Sequence, residues 1–304
     1  MADQVSPNLR LYRIEQMKRI ADALRYKLGI SDTFTVDEMG ETIENMEIAT
    51  DIMALVASGE AFDFDDATIK TKSSAVPAHM FRGCQGIRKI DKHDILEIGS
   101  YAFTGSKVNY INLPDCFTIG SYAFDSCNSI RDTTISIPKC TSIGDYAFNN
   151  CRCAGRNFTF DFSKVEHIGI NAFYECNFFT DVTDLNFPEC TSIGNAAFGT
   201  YYSAYPVEVT NFNLPKIVTL GNNVFKNAEI TNLILGENIT SMGTYVFNGA
   251  SITNLYVYAT TPPTVGSFEG TPTHVYVPAE SVDAYKAASK WSAFASRIEA
   301  IPEA

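Results

Sequence analysis

The sequence predicts an α+β solenoid, an array of coils with short parallel strands that is preceded by a small helical segment and closed by a C-terminal helical cap. Three observations carry that prediction. First, the hexapeptide from Ile98 to Phe103 (IGSYAF) returns as Ile119 to Phe124, Ile143 to Phe148, Ile168 to Phe173, Ile193 to Phe198, Leu220 to Phe225 and Met242 to Phe247. A period in the low-to-middle twenties marks a solenoid whose coils bury their apolar side only by stacking on neighbours. Second, each signature follows a short alternating element, such as Ile111-Asn112-Leu113-Pro114 or Leu233-Ile234-Leu235, which has the period of a strand. Third, the period is absent at both ends, which divides the chain into a helical segment (1–55), the array (56–278) and a cap (279–304).

Taken in order, Leu11, Ile14, Met17, Ile20, Leu24 and Leu28 step by three or four, which makes one apolar helical stripe ending at Gly29. Thr35 and Glu38 form a capping box for a second helix carrying Val36, Met39, Ile43 and Met46. The first helix is basic in an otherwise acidic chain, with Arg10, Arg13, Lys18, Arg19, Arg25 and Lys27. A solvated face of a helical hairpin explains this, and so does attachment to an acidic partner.

The array begins with a worn copy at Val76 to Phe81, Phe81 standing twenty-two residues before Phe103. In the coils the proline ends the strand by withholding a backbone donor, the glycine of the signature is expected to turn the chain, and the phenylalanine fills the core. At about 4.8 Å per coil, eight or nine coils make an array about 40 Å long. After Val275 to Pro278 the signature gives way to a helical pattern, and Trp291, Phe294 and Ile298 are expected to cover the last coil.

Composition excludes several function classes. The formal net charge of −12 opposes nucleic-acid binding, which needs a basic footprint. No run of eighteen apolar residues exists, so no membrane insertion is expected, and the first residues do not read as an export signal. No nucleophile elbow, phosphate-cradling glycine loop, HExxH or paired catalytic carboxylate is present, so the protein is not expected to be an enzyme or to need a cofactor or metal. Asp63, Asp65 and Asp66 lack the glycine and terminal glutamate of a calcium loop and read as solvated charges. Seven of the eight cysteines follow the repeat: Cys84, Cys127, Cys151 and Cys176 lie three residues after a signature phenylalanine, and Cys116, Cys140 and Cys190 lie two after a proline. Ser106, Tyr201, Ala228 and Ala250 share the first of these positions. Reduced core thiols are the expectation.

The run from Ile137 to Cys151 (IPKCTSIGDYAFNNC) closely resembles the BspA-like leucine-rich repeat, and the ending from Val275 to Ile301 resembles the tail of many such arrays. The resemblance implies a leucine-rich repeat fold and a binding role without catalytic residues. Members of that family are typically surface proteins of bacteria and some protists that bind host matrix or other cells. The segment from Ala21 to Met46, with FTVDEMGETIENM at its end, resembles the amino-terminal segment of minor structural proteins of phages and prophages of Gram-positive hosts. Together the two resemblances imply a virion component of the phage tail or baseplate. Its helices would dock on phage structural proteins, and its solenoid would recognise a host cell-surface glycan or protein. The alternative is a bacterial BspA-like adhesin, on the cell surface or secreted. Self-association into a homo-oligomer stays open in both readings.

Spacing points to where such binding would occur. From strand end to signature glycine the distance is six residues in five successive coils, Pro114 to Gly120 through Pro215 to Gly221. From signature phenylalanine to the next strand it is eight, eleven, twelve, twelve, fourteen and then eight again. Extra residues in consecutive coils emerge along one edge, and such an edge often binds. It carries Arg131, Arg152, Arg156, Phe179, Tyr201, Tyr202 and Tyr205, residue types that anchor interfaces. The competing explanation is that the loops only drift in length, with Ile130 and Phe178 in the core and the tyrosines packed on their own loop.

Overall fold

The computed structural model describes residues 62–65, 74–130, 134–151, 159–180, 182–201 and 207–302. The expected amino-terminal helices lie outside these residues, as do Asp66 and Cys153.

The array is a parallel β-solenoid of about nine turns, and each regular coil contributes two strands. One strand of each joins a nine-stranded sheet of two-residue strands: β2 (Ala75–Val76), β4 (Glu97–Ile98), β6 (Thr118–Ile119), β8 (Ser142–Ile143), β10 (His167–Ile168), β12 (Ser192–Ile193), β14 (Thr219–Leu220), β16 (Ser241–Met242) and β18 (Thr264–Val265). The other strand joins one of two sheets. A five-stranded sheet holds β1 (Phe62–Asp65), β3 (Ile87–Asp91), β5 (Tyr110–Asn112), β7 (Thr134–Ser136) and β9 (Thr159–Asp161). A six-stranded sheet holds β11 (Val182–Asn186), β13 (Glu208–Leu214), β15 (Glu229–Leu235), β17 (Ser251–Val257), β19 (His274–Val277) and β20 (Ile298–Ala300). The strands expected before each signature are the second set. The two-residue strands at the signature's own isoleucine are additional, because two residues are too few to show an alternating pattern. The coils with degenerate sequence keep their place: β1 pairs with β3 and β18 pairs with β16.

A long ring column runs through the core. Phe81, Phe103, Phe124, Phe148, Phe173, Phe198, Phe225, Phe247 and Phe268 are all buried, and successive centroids stand 5.1 to 6.3 Å apart in stacked geometry. Each such pair is worth about 0.5–1.5 kcal/mol beyond the area it buries. The seven described cysteines are buried and free, as the repeat positions imply. Loss of hydration pushes the thiols of Cys116, Cys127, Cys140 and Cys190 up to about 12.

The signature glycine does not act as expected. Gly120, Gly144 and Gly169 have no left-handed φ; a Cβ there would meet backbone atoms of the preceding coil at 2.5 to 3.0 Å. The residue is glycine because two backbones touch. The left-handed turn falls instead on the tyrosine two residues later, with φ of 60°, 59° and 57° at Tyr101, Tyr122 and Tyr146. A bulky residue with positive φ is uncommon and must be held there by its surroundings. The Tyr122 N–H donates to Asp145 O at 2.8 Å, and the Tyr101, Tyr122 and Tyr146 rings stack 4.6 Å apart.

The carboxy-terminal closure is only partly helical. A single-turn helix α1 (Val282–Ala287) is flanked by 3-10 stretches at Ala279–Ser281 and Trp291–Arg297, and the chain then adds β20 to the sheet beside β19. Trp291 and Phe294 pack edge-on against Phe268 with centroids at 5.0 and 4.9 Å, and Ile298 is buried. The indole Nε1–H donates to Pro263 O at 2.9 Å, and the Tyr285 hydroxyl donates to Ala259 O at 2.8 Å. Both buried polar groups are thereby satisfied, as burial of such amphipathic rings requires.

Candidate binding edge

Two residues after each signature phenylalanine, most coils place a second left-handed residue: Gly83, Gly105, Ser126, Asn150, Glu175, Asn227 and Gly249 have φ between 54° and 68°. That turn directs the following side chain inward, which is why Cys84, Ser106, Cys127, Cys151, Cys176 and Ala228 are buried. The coil of Phe198 has Thr200 at this position, and Thr200 does not take positive φ. A β-branched residue pays most for that conformation. Tyr201 therefore leaves the ladder and projects outward at 66% exposure, where most of its small-residue counterparts are buried.

The foot of this departure is anchored by a buried carboxylate. Glu175, in the preceding coil, accepts hydrogen bonds from the Tyr201 backbone N–H and from Thr200 Oγ1. From the following coil, Asn227 Nδ2 donates to Thr200 O at 2.8 Å and the Lys226 ammonium sits 5.2 Å from the centroid of the Tyr201 ring. The cation lies over the negative face of the ring, an arrangement worth about 0.5–1 kcal/mol at an exposed site. Tyr201 is thus exposed yet held by both neighbouring coils, which lowers the ordering cost of an interface contact.

The other candidate residues divide in two. Phe179 is not on the edge: it is fully buried at the end of the 3-10 turn Asn177–Phe179, 5.2 Å from Phe173 and 5.6 Å from Phe198. Its neighbour Phe178 is buried too, as is Ile130, so two adjacent phenylalanines fill space that other coils fill with one aliphatic residue. Arg131, Arg152, Arg156, Tyr202 and Tyr205 lie outside the described residues. Among the described residues no His, Cys, Asp and Glu side chains gather as a metal site, and no helix is long and apolar enough to cross a membrane.

Residues 60–180 and 167–269 match the BspA type leucine rich repeat region, in six copies. The chain belongs to the BspA-type leucine-rich repeat family. Within solved structures, it is similar to a leucine-rich repeat protein from Bacteroides ovatus, at 14% identity and a TM-score of 0.34. That similarity covers 67% of this chain and 58% of the other, so it spans little more than half of that protein's length. No curated protein matches the sequence. The matched residues include the signature coils, the phenylalanine column and Thr200. The signal for the departure at Thr200 is a β-branched residue where seven other coils have Gly, Ser, Asn or Glu.

Proposed function

We propose that this BspA-type repeat protein is a non-enzymatic binding protein that presents the edge around Tyr201 to a partner on a cell surface. The observation that carries the proposal is Tyr201 itself, a large aromatic ring turned out of a small-residue core ladder and fixed between Glu175 and Lys226. Rigid, exposed aromatics beside cations are the residue types that anchor interfaces. In the finer version of the proposal the protein is a phage tail or baseplate component, attached to other virion proteins through residues 1–55 and touching a host glycan or protein with the array. The resemblance of Ala21 to Met46 to phage structural proteins supports that version. A bacterial surface or secreted adhesin is the second reading, and the BspA-type family match is consistent with it.

Alanine at Tyr201, Tyr202 and Tyr205 together is expected to abolish cosedimentation with intact host cells. The melting temperature should stay nearly unchanged, because Tyr201 buries little. Unaltered cosedimentation removes this edge from consideration. Copurification with tail particles, lost on deletion of residues 1–55, separates the virion version from the adhesin.

A further inference from the structure

The array carries two kinds of threonine column. On the nine-stranded side, Thr141, Thr191, Thr240 and Thr264 donate their hydroxyls to carbonyls of the preceding coil at 3.2 to 3.3 Å. These hydroxyls hold coils together. Along the six-stranded sheet the amide column is consumed in the same way: Asn211 Nδ2 donates to Asp184 Oδ1, Asn232 to Asn211 and Asn254 to Asn232, at 2.7 to 2.8 Å. Thr183, Thr210, Thr231 and Thr253 each stand immediately before one of these amide-column residues, Asp184, Asn211, Asn232 and Asn254, at one equivalent position in β11, β13, β15 and β17. All four are exposed, and none of their hydroxyls makes a hydrogen bond.

Thr210, Thr231 and Thr253 line a groove of about 410 Å³ that crosses four consecutive strands. Its other walls are Glu208, Glu229 and Ser251, and Val209 and Ile230 between them turn their side chains into the core, so the exposed lining is chiefly polar. The groove opens directly after the longest insert, since residues 202–206 lead into Val207 and Glu208.

We infer that this groove binds a neutral polysaccharide strand lying along the solenoid axis. The inference goes beyond the Tyr201 edge but rests on reading the array as a surface-binding scaffold. A hydroxyl both donates and accepts, and so do the hydroxyls of sugars, whereas a carboxylate accepts from them. The same unengaged group recurs at about 4.8 Å per coil, which suits a ligand that itself repeats. The chiefly polar lining of hydroxyls and carboxylates offers hydrogen-bond partners to sugar hydroxyls along its length. Charge selects among polymers. Glu208 and Glu229 face each other in register within a chain of net charge −12, which repels polyanions. A basic peptide would want a continuous acidic row, and Ser251 interrupts it in the next strand.

Affinity electrophoresis of the full chain through gels containing a soluble β-glucan, a xylan or a mannan tests the inference. At least one neutral polysaccharide is expected to retard the protein. Thr210→Val, Thr231→Val and Thr253→Val combined should weaken that retardation by about tenfold or more, since three hydrogen bonds are lost. The same variant should keep its urea midpoint, because the hydroxyls have no internal partner. The Tyr201→Ala variant should be retarded like the wild type. Retardation by none of the three, equal retardation of the threonine variant, or preferential retention by heparin or polylysine overturns the inference. Loss of retardation in Tyr201→Ala alone assigns sugar binding to the edge and likewise overturns it.

Discussion

The two sides of each coil obey different rules. The nine-stranded sheet runs unbroken from β2 to β18 in strands of two residues, whereas the facing strands vary from three to seven residues and fall into two sheets that part between β9 and β11. The continuous side is the one whose spacing from strand end to glycine is fixed at six residues, and the divided side is the one that receives the inserts. Backbone contact leaves no freedom: where Gly169 touches the coil of Asp145, an added atom has nowhere to go. Side-chain packing is more tolerant. Across the parting of the two sheets the core remains joined, because the Phe162 and Phe187 rings stack at 4.9 Å. Insertions therefore accumulate where rings hold the coils together and are excluded where backbones do.

The sharpest way to break this comparison is Gly169→Ala. Its Cβ would meet Asp145 N at 2.5 Å and Gly144 C at 2.6 Å, backbone atoms that cannot rotate away. A loss of about 3 kcal/mol or more is expected in urea denaturation. The contrasting variant is Gly105→Ala, where nothing lies within 4 Å and only the φ of +65° opposes a side chain; about 1–2 kcal/mol is expected there. Equal costs at the two sites would deny that backbone contact sets the fixed spacing.

Phe187→Ala tests the other side. A buried phenylalanine reduced to alanine costs about 3–5 kcal/mol. Because Phe187 stacks on Phe162 across the parting of the sheets, its loss should split one unfolding transition into two. A single transition with undiminished cooperativity would show that the nine-stranded sheet alone couples the halves.

At neutral pH the smallest expected effect concerns the thiols, whose contribution is read only as pH rises. Cys116, Cys140 and Cys190 line the turn into the nine-stranded sheet, their Sγ–H groups donating to Thr118 O, Ser142 O and Ser192 O at 3.3 to 3.5 Å. Burial raises these thiols from an ordinary value of 9.0 to about 12, so the unfolded state sheds its protons first. Their contribution is complete below pH about 9 and is lost as pH rises toward 12. The urea midpoint should fall across that window, and replacing all three by alanine should flatten the slope. An unchanged slope would place the alkaline sensitivity elsewhere, with buried Tyr285, raised by desolvation, as the next group to test.

Tyr201 shows the limit of reading by pattern. Counting three residues from Phe198 assigns it to the cysteine ladder, and counting residue types assigns Phe179 to the binding edge; both counts miss, because the inward turn depends on a φ that Thr200 does not adopt and on core space that only a second phenylalanine fills. The groove beside β13 was illegible for a related reason. Its threonines are ordinary strand residues in sequence, and only the folded array leaves their hydroxyls unengaged while those of Thr191 and Thr240 are bonded.

By itself the sequence determined the solenoid, its period, the phenylalanine column and the free buried thiols, because stacking translates each residue onto its equivalent and a linear repeat becomes a spatial one. Tertiary structure alone decided which glycines are contacts instead of turns, where the second sheet parts, and which polar column is left open. Those outcomes depend on distances of a few tenths of an ångström between neighbouring coils, and a one-dimensional pattern fixes equivalence between coils without fixing their separation.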